Sequence, residues 1–316
     1  MPVYNAGGLF RPCVESVLGQ TLRELELVLV LDCPTDGTAE EAESFARSDG
    51  RVRLVRNERN LHIGLSRNAG LAVAAGEYVG FADDDDLMEP DMYERMYARA
   101  EDMRADVVIC HHSERRGSSD VPYPLPDRGD ENVRRPVLDA LVEARYALPA
   151  TSSFRNVNSV WTELIRRSLI VGNGLLFPDN RRVSYEDALF NAGVFACAGR
   201  VALLPECLYH HLLHGANTFS RYEYKSPERI VAYVEEMERL LRRHGLMEEE
   251  REAFRSGAVR RLYTSMRNEI RFRGIGALPA FFRKVRSNET VRETLAGGMP
   301  AEVGLTKRVF ARLCRG

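Results

Sequence analysis

The sequence predicts an α/β fold built on a doubly wound, mostly parallel sheet. Short apolar runs that suit buried strands alternate with segments whose apolar residues recur at helical spacing. Three of these runs, Leu25 to Leu31, Val52 to Val55 and Tyr78 to Ala82, each lead into polar or acidic residues. Strands that alternate with helices are typical of parallel sheets with crossover connections. From Pro227 onward the periodicity is helical only, which predicts a C-terminal helical extension.

The first half of the chain repeats the strand and helix pattern. Met1 to Tyr4 has the character of the end of a strand, so we expect an N-terminus that is truncated or misannotated. Phe10 to Leu18 carries apolar residues at helical spacing, and Gly19 can end that helix. Further helices are predicted over residues 38–46, 66–75 and 92–103, with a buried strand at Val107 to Cys110.

The second half is less regular. Arg115 to Asp130 is polar and rich in Gly and Pro, which predicts a flexible loop. Helices are predicted at 137–146, 160–170 and 187–197, short strands at 175–177, 201–204 and 207–212, and long helices at 230–241 and 247–273. The chain therefore divides into a first domain, residues 1–220, and a helical region, residues 221–316.

The composition is that of ordinary globular protein, with 44% hydrophobic and 28% charged residues in 316. The formal net charge of -2 argues against nucleic-acid binding as the main task. Six scattered cysteines without a Cys-x-x-Cys pair favour a reducing cytoplasm over a disulfide framework. No apolar stretch is long enough to span a bilayer, so we expect a soluble or peripheral protein.

The most unusual stretch is Phe81 to Pro90, which places Asp83, Asp84, Asp85 and Asp86 directly after an apolar run. Adjacent carboxylates at about 4 Å repel by roughly 4 kcal/mol at an effective dielectric near 20, and a cation relieves that repulsion. In an extended segment Asp83 and Asp85 share one side and can hold Mg2+ or Mn2+, which in turn suits a phosphorylated substrate. The alternative is a solvated acidic loop that caps the next helix, and the residues alone leave it open.

Polar residues also end several predicted strands. Tyr4, Asp32 and Asp83 each follow such a strand. In open α/β sheets, ligands bind beyond the carboxyl ends of the strands. We therefore expect these three residues to converge on one site.

Six segments taken together resemble a known family. They are Met-Pro-Val-Tyr-Asn at the start, the Asp32 to Thr38 turn, Ser66-Arg-Asn-Ala-Gly-Leu, Gly76-Glu-Tyr, the acidic loop, and Glu186-Asp187. Their order and spacing, from Met1 to about Phe219, resemble the family 2 inverting glycosyltransferases of the GT-A fold, in particular those that build bacterial surface polysaccharides. The resemblance implies a nucleotide-binding half at 1–115 and an acceptor and catalytic half at 130–220.

The resemblance also implies a nucleotide-sugar donor and a divalent metal, Mn2+ or Mg2+. Tyr4 would lie near the base, Asp32 would bond the edge of the base, and Asp83 and Asp85 would form the acidic motif that holds the metal on the diphosphate. Arg67 would lie near the phosphates. A surface arginine is the competing interpretation of Arg67.

For the reaction itself, the resemblance implies that Asp187 is the catalytic base and that Glu186 orients it or binds the acceptor. An acceptor hydroxyl is a poor nucleophile until a carboxylate takes its proton, so an acidic residue suits this role. A helix cap is the competing interpretation of Asp187. Tyr209 to Thr218 resembles the segment that closes over the donor, and His214 is the candidate for a diphosphate contact.

The residues and the resemblance together predict a metal-dependent inverting glycosyltransferase that moves one sugar to a hydroxyl of a growing glycan. The resemblance further implies that this glycan is a lipid-linked surface-polysaccharide precursor. Basic and aromatic residues near the C-terminus, including Phe281 to Lys284, Arg286, Lys307, Arg308 and Arg312, suggest peripheral contact with anionic lipid; a solvated helix face is the alternative. A catalytically impaired nucleotide-sugar-binding protein or scaffold is the rival function. A sugar nucleotidyltransferase normally needs a Gly-rich loop with a lysine or arginine after the first strand; it is disfavoured, because Asn5 to Phe10 offers no lysine and only Arg11 follows.

Overall fold

The computed structural model describes residues 1–144, 157, 159–214, 225–296 and 304–315, and in this part of the chain it groups the residues into two compact units. The first unit contains residues 1–134, 158–177 and 197–215, and the second contains 135–157, 178–196 and 216–316. Compactness alone does not define a domain, so the predicted boundary at residue 220 stays a prediction.

The first unit carries all of the described strands, in two sheets. The first sheet is wholly parallel, in the order β1 (Pro2–Val3), β2 (Leu27–Leu31) and β3 (Val52–Arg56). The apolar run of β2 predicted a buried central strand, and Leu29 and Val30 are fully buried. Helices α1 (Phe10–Leu18), α2 (Thr38–Ser48) and α3 (His62–Leu71) connect these strands and lead on from them, as the alternating pattern predicted.

The second sheet has the strand order β4, β8, β6, β9, β5, with β7 paired to β6. Its strands are β4 (Tyr78–Gly80), β5 (Leu87–Met88), β6 (Val107–Arg116), β7 (Ser119–Tyr123), β8 (Glu163–Arg166) and β9 (Val201–Leu212). β6 and β9 run parallel, whereas the other pairings are antiparallel. Helices α4 (Met92–Met103) and α6 (Arg167–Gly172) also belong to this unit. The predicted α/β class is confirmed, and the mainly parallel character is concentrated in the first sheet.

Several local predictions were wrong because strand pairing outweighed local pattern. Residues 160–170 do not form one helix: a short 3-10 turn leads into β8, which pairs with both β4 and β6. Residues 175–177 are not a strand, since the backbone of Phe177 bonds the side chain of Asn68 instead. The predicted loop at 115–130 contains β7, which forms a hairpin with the end of β6.

The second unit is helical. It holds most of α5 (Arg134–Val142) and α7 (Glu186–Cys197), together with α8 (Pro227–Arg243), α9 (Arg251–Arg273), α10 (Leu278–Ser287), α11 (Glu289–Ala296) and α12 (Leu305–Arg315). The apolar face predicted for α8 is buried at Ile230, Val234, Met237 and Leu241, so the C-terminal helical extension is confirmed. In the described residues, none of these helices has the length and apolar character that a bilayer span requires.

Candidate functional site

The four acidic residues lie where β4 leads into β5, and Asp84 and Asp85 form a turn there. The extended conformation that we predicted for them was therefore wrong. In a turn the side chains do not alternate between two faces, so each carboxylate finds a different partner. The charge is thus distributed over several contacts.

Asp83 is paired with Arg67 of α3. Arg67 Nη2 lies 2.8 Å from Asp83 Oδ1, and only 3% of Arg67 is exposed. Its guanidinium carbon also lies 5.3 Å from the centroid of the Phe177 ring. A surface arginine is excluded by this burial, because the side chain is enclosed between a carboxylate and an aromatic ring.

Asp84 connects the turn to the start of the chain. Its Oδ2 accepts a hydrogen bond from the backbone N–H of Tyr4 at 2.8 Å. Burial, together with the charges of Asp85 and Asp83, raises the pKa of Asp84 to about 8. The side chain of Tyr4 is about half exposed, so the contact with the turn is made by its backbone.

Asp86 fastens the turn to β9. This buried carboxylate accepts hydrogen bonds from the hydroxyl of Tyr209 and from the backbone N–H of Leu212, both at 2.8 Å. The Tyr209 hydroxyl in turn accepts the backbone N–H of Asp83 at 3.3 Å. Burial and the charges of Asp83 and Asp85 raise the pKa of Asp86 well above its usual range.

Asp85 faces His214, just beyond β9. Asp85 Oδ2 and His214 Nε2 lie 2.7 Å apart, and both side chains are partly exposed. Burial and the neighbouring Asp83 raise the pKa of Asp85, while His214 opposes that shift. Of the four acidic residues, Asp85 is therefore the one whose carboxylate is presented next to an imidazole.

Asp32 directly follows β2, at the strand end where we predicted it, and is only 3% exposed. Its carboxylate accepts hydrogen bonds from Asn57 Nδ2 at 2.8 Å, from the backbone N–H of Leu61 at 2.7 Å, and from that of His62 at 2.8 Å. His62 has a positive φ of 63°, which is uncommon for a residue with a side chain. Asp32 therefore holds the loop at 57–62 in its conformation.

Glu186 and Asp187 lie in the first turn of α7, in the second unit. Glu186 is buried and Asp187 is partly exposed. Tyr185, directly before them, has a φ of 56°, a backbone strain on the order of 1–3 kcal/mol for a non-glycine residue. The N-terminal position on α7 also favours negative charge.

The residues that support the turn carry no recognisable sequence pattern. Tyr209 is fully buried and stacks on the buried Trp161, with ring centroids 4.4 Å apart. His210 links Ser113 on β6 to Glu89 beyond β5, at 2.8 and 2.7 Å. Gly215 to Thr218, which we expected to close over the donor, lie outside the described residues.

The side chains around the turn offer oxygen and nitrogen atoms of the kinds that suit a divalent cation which also binds substrate. In the described residues no group of three or more His, Cys, Asp or Glu side chains is arranged as a complete metal site. Mg2+ typically uses only one or two carboxylates plus substrate phosphates. The imidazole of His214 beside Asp85 is a nitrogen donor, a type that suits Mn2+ better than Mg2+.

The chain is similar to known proteins in both sequence and fold. Residues 1–159 match the family model described as Glycosyl transferase family 2. The chain is 30% identical over 292 residues to the putative glycosyltransferase EpsH of Bacillus subtilis, covering 90% of this chain and 79% of EpsH. It is 30% identical over 222 residues to the succinoglycan biosynthesis protein ExoO of Rhizobium meliloti, covering 67% of this chain and 60% of ExoO.

Among solved structures, the fold is similar to that of S. aureus TarS 1-349 in complex with UDP-GlcNAc. The TM-score is 0.77 at 20% identity, over 99% of this chain and 86% of that one. At this identity the similarity concerns the fold. With the family match and the identity to EpsH, it confirms the predicted glycosyltransferase of the GT-A fold: the chain belongs to glycosyl transferase family 2.

Proposed function

We propose that the protein is a metal-dependent inverting transferase that moves one sugar from a nucleotide-sugar donor to a hydroxyl of a growing glycan. The observation that carries this proposal is the acidic turn after β4, in which Asp85 is presented beside His214 while its three neighbours are held by other contacts. A merely capping loop would not need partners from α3, β9 and the start of the chain. The nucleotide sugar named in the TarS structure supports this donor class.

Asp85 and His214 would hold the divalent metal, with Asp83 as the second carboxylate of the motif. Asp83 Oδ1 is engaged by Arg67, which leaves Oδ2 as its metal-facing atom in this proposal. When bound, the metal would offset the negative charge that develops on the departing diphosphate. Arg67 would keep Asp83 oriented, and His214 would keep Asp85 facing the donor phosphates.

The donor base would be bound by Tyr4, Asp32 and the loop that Asp32 organises. The exposed ring of Tyr4 is available for stacking on a base. The carboxylate of Asp32 accepts three N–H groups from the protein, so its influence on the base would be exerted largely through residues 57–62. Arg67 would contribute positive charge near the phosphates.

Asp187 would act as the base. It would accept the proton of the acceptor hydroxyl as that oxygen attacks the anomeric carbon, opposite the leaving nucleotide, so that the configuration inverts. Glu186, buried beside it, would orient the base or contact the acceptor. Because a carboxylate performs this step at neutral pH only when ionised, its replacement by an amide should stop transfer.

The acceptor would be a surface-polysaccharide precursor carried on lipid. The succinoglycan assignment of ExoO supports the polysaccharide class. The six cysteines all lie in the described part of the chain and form no disulfide, which suits a reducing cytoplasmic location. Peripheral contact with the inner membrane surface would be made by α10 and α12, whose exposed basic residues include Arg283, Lys284 and Arg312.

The test is a screen of nucleotide sugars with Mn2+ and a lipid-linked glycan acceptor. We expect one donor to be consumed and an inverted linkage to form, and Asp187→Asn to lose transfer by at least about 100-fold while retaining donor binding. Equal turnover in the wild type and in Asp187→Asn would refute the assigned base. Metal-dependent nucleotide binding by calorimetry without turnover on any donor would select the rival function, a nucleotide-sugar-binding protein.

A further inference from the structure

Tyr185 lies directly before α7 and has an unusual conformation. Its φ of 56° lies in the left-handed region, although it carries a bulky side chain that is 5% exposed. Such a conformation persists only where surrounding contacts enforce it. The residues that contact Tyr185 therefore determine how α7, with Glu186 and Asp187 in its first turn, begins.

One such contact comes from Arg261, in the middle of α9. Arg261 is 2% exposed, and its guanidinium carbon lies 5.3 Å from the ring centroid of Tyr185 and 4.1 Å from that of Tyr233 on α8. The two rings meet edge to face, with centroids 5.8 Å apart. One buried cation thus connects the entrance of α7 with α8 and α9.

The backbone of the same loop is held to α8. The N–H of Ser184 donates to the carbonyl of Arg229 at 3.4 Å, and Arg229 Nε donates to the carbonyl of Arg181 at 3.0 Å. These bonds fix the loop up to Ser184. The ring contacts with Arg261 and Tyr233 act on Tyr185 itself.

Arginine suits this position because its flat guanidinium stacks on aromatic faces, and burial strengthens the attraction. Lysine keeps the charge but is a compact, strongly hydrated point charge that cannot stack in the same way. An Arg261→Lys variant therefore removes the stacking while leaving the number of charges unchanged.

We propose that Arg261 is a positioning residue for Asp187. Through the rings of Tyr185 and Tyr233 it holds Tyr185 in the left-handed conformation, which sets the direction in which α7 starts and so the direction of the Asp187 carboxylate. This inference rests on the proposed role of Asp187. It gives the C-terminal helices a function in catalysis, although none of their residues needs to touch substrate.

The neighbouring Arg260 provides a matched control. It lies on the same helix and is 3% exposed. Its Nη2 lies 3.0 Å from Oε1 of Glu143, the residue that directly follows α5. Arg260→Lys makes the same chemical change on the same helix, at a buried side chain that pairs with Glu143.

The experiment compares the full-length wild type, Arg261→Lys and Arg260→Lys. In Arg261→Lys we expect kcat for transfer to fall by about tenfold or more, since misplacing a catalytic group by about 1 Å can cost on the order of 100-fold. The KM for donor should stay within about twofold, because that variant leaves donor binding intact. Amide hydrogen exchange at residues 184–189 should be faster in Arg261→Lys than in Arg260→Lys.

Equal exchange at residues 184–189 in the two variants, or an equal loss of kcat, would overturn the proposal. Should Arg261→Lys prove insoluble, Tyr233→Leu takes its place, because it removes the ring nearer to Arg261 and keeps an apolar side chain. Wild-type exchange at residues 184–189 in Tyr233→Leu would also overturn the proposal. Failure of the proposed function is recognised separately, because Asp187→Asn would then match the wild type in transfer while the exchange result still reports on Arg261.

Discussion

Asp85 Oδ2 lies 2.7 Å from His214 Nε2, so that a carboxylate from the turn after β4 is joined to an imidazole that follows β9. The pair places a carboxylate oxygen next to an imidazole nitrogen, two atom types that can bind a metal. It is also close to Asp83, whose charge contributes to the raised pKa of Asp85. A divalent cation would relieve the repulsion between the Asp83 and Asp85 carboxylates, and this electrostatic argument supports the proposed metal dependence.

The first prediction concerns Asp85→Asn. An amide keeps the shape of the side chain but removes the charge, so we expect turnover to fall by about 100-fold or more and the Mn2+ concentration for half-maximal activity to rise. Transfer rates measured over a Mn2+ titration report both effects.

Asp91→Asn is the matched control for that variant. Asp91 lies just before α4, about half exposed, and pairs with Arg95 at 3.4 Å on the surface. Its replacement should change neither the rate nor the Mn2+ titration, since exposed pairs contribute about 0–1 kcal/mol. A Mn2+ response in Asp85→Asn that matches that of Asp91→Asn would argue against Asp85 as a metal ligand.

The second prediction concerns Asp32→Asn. An amide nitrogen cannot accept the N–H groups that the carboxylate accepts from Leu61 and His62, so at least one of these hydrogen bonds to residue 32 is lost. A hydrogen bond to a charged group contributes about 1.5–3 kcal/mol, and we expect the free energy of unfolding to fall by up to that amount. Urea denaturation measures this loss, and calorimetry should show weaker nucleotide binding in the same variant.

The contrary outcome for Asp32 is equally clear. Loss of nucleotide affinity with wild-type stability would mean that the carboxylate bonds the base directly and that the loop at 57–62 does not depend on it. Asp49→Asn serves as the comparison for both stability and nucleotide affinity. Asp49 is a partly exposed carboxylate that pairs with Arg51, just before β3 of the same sheet.

Features of the site that depend on neighbouring residues could be predicted from the sequence, whereas contacts between residues far apart in the chain could not. The position of the acidic turn and of Asp32 followed from local pattern, since both end apolar strands. The partners of the acidic residues did not, because Tyr4 and Leu212 contact them through backbone N–H groups that any residue type provides. The turn conformation at Asp84 was likewise set by these distant contacts.

The same reasoning explains the missed strand β8 and the missed role of Arg261. Residues 163–166 have no strand pattern of their own and become a strand through pairing with β4 and β6. Arg261 lies in a helix with charged residues on several sides, so nothing in its periodicity distinguishes a buried cation from an exposed one. Its burial depends on the rings of Tyr185 and Tyr233, which come from distant parts of the chain.

The third prediction is a pH dependence of stability that arises from Glu250. This side chain is fully buried, and its Oε1 lies 2.8 Å from Arg135 Nη2. Burial, followed by the charge of Asp139, raises the pKa of Glu250 from its ordinary value of 4.5 to about 8. The folded state therefore keeps a proton that the unfolded state releases, so this contribution to stability is complete below pH 4.5 and is lost as the pH rises towards 8.

Glu250→Gln removes that titration. We expect its free energy of unfolding to decline less than that of the wild type between pH 5.5 and 8.5, by about 1 kcal/mol or more, in urea denaturation followed by circular dichroism. Glu248→Gln, at a side chain that is 86% exposed, should keep the wild-type slope. Parallel slopes for Glu250→Gln and the wild type would mean that Glu250 is ionised in the folded state throughout this range.

The charge of the C-terminal helices leads to the fourth prediction. Residues 271–316 contain ten Lys and Arg but three Glu, although the whole chain has a formal net charge of -2. Within the described residues, Arg283, Lys284 and Arg312 are exposed and form no ion pair with a carboxylate. On α12, Val309 and Leu313 are about half exposed, and Arg286 on α10 donates to the backbone carbonyl of Leu313 at 2.7 Å, which brings the basic and apolar residues together.

We expect the wild type to sediment with vesicles that contain phosphatidylglycerol and not with phosphatidylcholine alone, and added salt should weaken that binding. Since each basic residue near an anionic surface contributes about 1 kcal/mol, Lys284→Glu with Arg312→Glu should weaken vesicle binding by at least about tenfold. Arg23→Glu with Arg47→Glu makes the same change in net charge at exposed positions of the first unit and should bind as the wild type does. Equal binding by the two double variants would mean that overall charge, and not the surface formed by α10 and α12, governs any attraction to lipid.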